Sequence, residues 1–325
     1  MADLKLACAK RGLMWAMASA LFWGVAGVLL SRGLEMAPFT AGETFATGAL
    51  VGGALNDGLG GIYLFIFNVV TGRRRELFRT MKTRPGMLVC IAALFGGPLA
   101  MGGYLMGIRL AGPCYAMGIS ALYPVVGSLL AMVFLRESVS PRAWAGIVCC
   151  TVGAIVMGYV APGGNAYPHF HLGLGLALLA ALGWGVEGVL STWGMEMVDP
   201  AVAITIRQAT SSVVSMVAVF PLISGFSMLG RALTTLGSLW IMAGAALVGA
   251  TSYLCWYRSF SMCGVGRTMA LNMTYPIWGI IFSSLFTPVR ISANLLLGAT
   301  VITFGSVLVV ASTGETVSLG EASQP

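Results

Sequence analysis

Ten stretches of this chain are apolar and long enough to cross a bilayer, and that feature excludes most folds. They run over 12–31, 39–71, 86–108, 114–135, 142–160, 172–194, 201–223, 237–257, 268–287 and 291–311. A transmembrane helix needs roughly 20 mostly apolar residues. Hydrocarbon supplies no hydrogen-bond partners, so each segment must satisfy its own backbone, which a helix does and an open strand does not. Composition agrees. Of the 325 residues, 58% are hydrophobic and 9% charged, whereas a soluble domain carries about 25% charged residues. So few charges cannot cover a water-facing surface. The sequence predicts an all-α integral membrane protein of ten transmembrane helices. The longest polar stretch, 72–85, is too short for a soluble domain.

The second stretch is too long for one simple span. It contains Asn56-Asp57-Gly58 and glycines at 52, 53, 58, 60 and 61. A broken helix, or one preceded by a Gly-rich segment, is expected there. Lys10-Arg11 before the first stretch imitates a signal peptide, but that run is too long and Trp-rich, and further spans follow it. Most of the seven cysteines lie inside apolar runs without metal-ligand spacing. They read as small apolar fillers.

Lys and Arg set the orientation. With the N-terminus in the cytoplasm, thirteen of the 18 cations fall in inner segments, six of them at Arg73, Arg74, Arg75, Arg79, Lys82 and Arg84. Four fall in outer loops and Arg207 lies within a span. Both termini are therefore expected inside, in a bacterial inner membrane. The net charge of +7 reports orientation and not nucleic-acid binding.

The chain also repeats itself. Trp23-Gly24-Val25-Ala26-Gly27-Val28-Leu29 in the first stretch matches Trp184-Gly185-Val186-Glu187-Gly188-Val189-Leu190 in the sixth at six of seven positions. Tyr123-Pro124 and Tyr275-Pro276 form a second pair, offset by 152 residues against 161 for the first. The nine extra residues belong between the first and fourth helices. Two five-helix units, an odd number each, must lie upside down to one another. Inverted repeats of this kind characterise alternating-access transporters. The expected units are 1–160 and 172–311, joined by an outer linker, 161–171, and followed by a cytoplasmic tail, 312–325.

Ionisable groups inside a bilayer are costly and usually functional. Glu187 replaces the Ala26 of the sister motif, and is read either as a contact for a substrate cation or proton or as a structural partner of Arg207. Asp57 is a second buried charge, for substrate or a coupling proton. Glu43 reads as interfacial. The aromatic residues Trp23, Trp184, Tyr104, Tyr253, Trp256, Tyr257, Tyr275 and Trp278 either pack and anchor the helices or form a cage. Tyr253 and Tyr257 are four apart and share a helix face with Trp256 beside them. Rings beside a carboxylate describe a site for a quaternary ammonium group, which has no N–H to donate. Neither a phosphate-binding loop nor a catalytic or metal-binding motif is present, so no enzyme and no cofactor is expected.

Over its whole length the chain resembles the drug/metabolite transporter superfamily, EamA type. More narrowly it is similar to LicB-type bacterial choline permeases. The closer likeness rests on Gly97-Pro98 with Met101, Ser120–Pro124, Trp184–Ser191, Met195-Glu196 and Ile206–Thr210. It continues through Ser252-Tyr253-Leu254 with Tyr257, and Asn272 with Tyr275 and Trp278. The resemblance implies import of choline or another methylated amine held by these rings and Glu187. The chain departs from the pattern at Asn56-Asp57, where a His-Asp pair is expected, at Trp256 for a Tyr, and at Tyr104 for a polar residue. Those departures leave choline, betaine and other methylated amines open. A generic exporter of amino acids or metabolites is the alternative. A membrane enzyme or scramblase is the third reading.

Overall fold

The computed structural model describes residues 2–41, 45–111, 113–158, 169–285 and 292–313. Every element among them is helical: α1 (Ala2–Leu34), α2 (Phe45–Val70), α3 (Arg74–Thr80), α4 (Arg84–Leu94), α5 (Ala100–Ala111), α6 (Pro113–Ser120), α7 (Tyr123–Phe134) and α8 (Pro141–Gly158). After them come α9 (Phe170–Gly194), α10 (Pro200–Val214), α11 (Gly225–Thr234), α12 (Leu236–Cys263), α13 (Val265–Asn272), α14 (Tyr275–Ser284) and α15 (Ala293–Ala311). Among the described residues, eight helical runs are long and apolar enough to span a membrane. The stretches at 142–160 and 268–287 are not among them. The first forms the shorter apolar helix Pro141–Met157, and the second is split into α13 and α14.

That split has a sequence cause. Residues 273–274 form a turn, and α14 then starts at Tyr275 with Pro276 in its first turn. The same arrangement separates α6 from α7, which starts at Tyr123-Pro124. Proline has no N–H, and the first turn of a helix is where none is required. Each Tyr-Pro pair therefore begins a new half-helix in mid-span. Pro98 acts differently. It sits inside the π turn Phe95–Leu99 that joins α4 to α5 in one run, where a missing donor is absorbed by a wider turn.

The expected break in α2 is absent. Its helix continues through Asn56-Asp57-Gly58, because Asp57 and Gly58 face α10 and Asn56 is buried toward Gly249 of α12, so none of them meets lipid. Asp57 accepts from Ser211, and Ser212 Oγ donates to the Ala54 carbonyl at 3.0 Å. Further along, Asn68 Nδ2 donates to Thr205 Oγ1 and to the Ala201 carbonyl. A polar interface between two helices replaces the predicted interruption. Glu43 lies outside the described residues.

Helix α1 packs along α12 and α14, and α8 along α15. At the latter contact, Cβ atoms added to Gly146, Gly153, Gly298 and Gly305 would all meet the opposite backbone, so only glycine permits this approach.

Candidate functional site

Three helices bring the intramembrane charges together. Arg207, midway along α10, donates from Nε to Glu187 Oε1 on α9 at 2.6 Å and from Nη1 to Asp57 Oδ2 on α2 at 3.3 Å. Its Nη1 also reaches Gln208 Oε1 at 2.8 Å, and its guanidinium lies 5.0 Å from the Tyr253 ring centroid. Asp57 takes a further hydrogen bond from Ser211 Oγ at 2.6 Å. Arg207 is 2% exposed. A charge taken so far from water persists only when paired and hydrogen-bonded. With both carboxylates ionised, two negative charges face one positive charge, leaving the triad one negative charge in excess.

The π turn makes room for this arrangement. A Cβ added to Gly96 would overlap the Glu187 carboxylate, and one added to Gly97 would overlap Ser211. On the same face of α9 as Glu187, Trp184 donates from Nε1 to the Gly96 carbonyl at 3.2 Å. Gly96 thus positions both the ring and the acid.

Glu187 opens on its other side to a cavity of about 460 Å³. Seven aromatic rings line it: Trp23, Tyr104, Tyr123, Trp184, Tyr253, Trp256 and Tyr275. They brace one another, with centroids 5.2 Å apart for Trp23 and Tyr253, 5.6 Å for Tyr104 and Trp184, and 6.0 Å for Tyr123 and Trp184. One wall is polar. Asn272 Nδ2 donates to Ser19 Oγ at 3.3 Å, Tyr123 OH donates to Asn272 Oδ1 at 3.3 Å, and Ser252 Oγ donates to the Ser19 carbonyl at 2.8 Å. Glu187 is the one charged residue on the wall among the described residues, and Arg207 is not part of it.

Residues 10–159 match the EamA-like transporter family, and residues 171–311 match it again. The chain belongs to the EamA-like transporters. Protein LicB of Haemophilus influenzae is 25% identical over 300 residues, covering 90% of this chain and 96% of that protein. A crystal structure 17% identical superposes with a TM-score of 0.69 over 93% of this chain and 98% of its own, which shows a shared fold.

In this EamA-like transporter, seven of the residues singled out from the sequence meet at the cavity: Trp23, Tyr104, Trp184, Glu187, Tyr253, Trp256 and Tyr275. Asp57 and Arg207 lie behind Glu187. Tyr257 and Trp278 are off the wall. At about 100° per residue, Ser252, Tyr253 and Trp256 span one arc of α12 and Tyr257 lies just beyond it. Tyr257 is fully buried, with its OH 2.9 Å from Ser191 Oγ. On α14 the cavity takes Tyr275, Pro276 and Ile280, and Trp278 points the other way, against Gly24 of α1. Sequence reasoning did not assign Ser19, Ser252 or Tyr123 to the site. Ser19 stands four residues before Trp23, and Ser252 four before Trp256, so helical spacing from the named tryptophans was the available signal. Tyr123 was marked by its pairing with Tyr275.

Proposed function

We propose that this EamA-like transporter imports choline or a related quaternary ammonium cation by alternating access across a bacterial inner membrane. One observation carries the reading: among the described residues, seven rings and a single carboxylate share one cavity. A quaternary ammonium offers no N–H, so ring quadrupoles and a nearby diffuse charge are what can hold it. The excess negative charge of the triad is what a permanent cation neutralises. Zwitterions are disfavoured, because among the described residues the wall carries no cation, and the Arg207 guanidinium behind it is committed to Glu187, Asp57 and Gln208. The same absence of an available cation weighs against an amino-acid exporter. Inward movement of a cation is also favoured by a membrane potential negative inside, by about 2.3 kcal/mol per charge per 100 mV.

The reading includes ten spans in two inverted five-helix repeats with both termini inside. Its supports are the two successive family matches, the Trp-Gly motifs that both reach the cavity, and the helix breaks at both Tyr-Pro pairs. Asp57 is the position for a coupling proton, as the carboxylate of the triad that lies off the cavity wall, bonded to Arg207 and Ser211.

The test is uptake of labelled choline into proteoliposomes, with betaine, carnitine, ethanolamine and amino acids as competitors. Choline and other net-cationic quaternary amines should compete, and betaine, carnitine and the amino acids should not. Transport of amino acids with no effect of quaternary amines would overturn the assignment.

A further inference from the structure

The segment from Arg73 to Arg84 carries six cations and one acid, Glu76. The short helix α3 at its centre is pinned by the buried Leu77 and Thr80. Arg73 is engaged, with Nε 3.4 Å from Asp199 Oδ2. Arg74, Arg75, Arg79, Lys82 and Arg84 are exposed. Among them stand two apolar side chains that are also exposed, Phe78 at 49% and Met81 at 51%. The Phe78 ring sits 6.4 Å from that of Phe65 on α2. Phe65 belongs to an exposed apolar face with Ile62, Ile66 and Val69 on a membrane-spanning helix. The ring pair thus fixes α3 where α2 leaves the apolar layer.

We propose that α3 and its flanks form a docking surface for anionic phospholipid headgroups. Charge and depth both select this occupant. Five exposed cations are brought to headgroup level, and clusters of this size beside a membrane-spanning helix attract anionic lipid. Phe78 and Met81 continue the lipid-facing surface of α2, so acyl chains cover them while phosphates meet the arginines. A soluble acidic segment supplies the second contact and not the first.

Native mass spectrometry of the detergent-purified full chain tests this, with phosphatidylglycerol and phosphatidylethanolamine in equimolar mixture. Phosphatidylglycerol should be retained preferentially. In equilibrium binding of fluorescent analogues, the preference should collapse near 1 M salt, where the Debye length is about 3 Å. The triple variant Arg74→Gln, Arg75→Gln, Arg79→Gln should lose the preference by about 100-fold, at roughly fivefold per cation. The matching triple Lys variant keeps the charge that orients insertion and should retain the preference within a few fold. Equal retention of the two lipids by the wild type, or a preference unchanged by salt, would overturn the proposal and leave the cations as orientation signals only. None of these readouts depends on the transported substrate.

Discussion

Glu187 occupies a position compatible with both of the roles that the sequence presented as rivals. Its carboxylate pairs with Arg207 on one side and lines the cavity on the other. Glu187→Gln keeps an acceptor for the guanidinium and leaves Arg207 balanced by Asp57. The variant should therefore extract as a monodisperse protein while binding a quaternary cation at least about tenfold more weakly, since low dielectric strengthens the lost attraction. Unchanged affinity in a folded variant, measured by tryptophan quenching, would remove the residue from the site. Arg207→Gln has the opposite expectation. It leaves two buried carboxylates without their cation, and removal of one partner from such a group costs about 3–5 kcal/mol. Its thermal unfolding in detergent should fall accordingly. Gly96→Ala drives a methyl into the Glu187 carboxylate and should reproduce the affinity loss with the carboxylate still present. Glu187 and Arg207 were legible in the sequence because charge inside an apolar run is conspicuous. Gly96 was not, because a glycine carries no mark of what faces it.

At the level of elements, the sequence located the apolar runs well and their interiors poorly. Polarity and glycine at 56–58 suggested a break in α2, but hydropathy does not say whether a neighbouring helix supplies partners, and α10 does. The half-helices were hidden for the converse reason: a turn of two residues hardly alters an apolar run. One such half-helix, α13, is fastened at both ends by residues that bracket α7. Tyr123 reaches Asn272 at its C-terminal end, and Glu137 accepts from the Val265 N–H at 3.0 Å at its N-terminal end. Glu137 lies beyond the end of α7, outside the spans. Burial raises its pKa above the usual value, against the Val265 and Gly266 N–H groups and Arg267, which lower it. The raised value means that ionisation costs the folded state more than the unfolded one. This contribution to stability is complete at low pH and is lost as pH rises through the raised pKa. Glu137→Gln cannot ionise, so it should match the wild type near about pH 4 and become the more stable of the two near about pH 8. Unfolding curves across that range check the sign. A variant less stable at the higher pH would show that the backbone hydrogen bonds outweigh burial.

On the scale of the whole molecule, the cavity and the Glu137 fastening lie toward opposite ends of the helices. Met157, at the end of α8, and Leu295, at the start of α15, help form the cavity wall. The Lys/Arg distribution predicts that both of these helix ends lie outside, and that α3, Glu137 and the start of α13 lie inside. On that expected orientation, we propose that the site is reached from the outer face. Impermeant thiol reagents on intact cells test that directly, in a background with the seven native cysteines replaced. Met157→Cys should react from outside, and choline should slow the reaction by filling the cavity. Lys82→Cys should react only after the cells are opened. If Lys82→Cys reacts in intact cells, the orientation is inverted and the import direction loses its structural support. If Met157→Cys reacts but choline does not slow it, the outer opening stands and the cavity is not the cation's site.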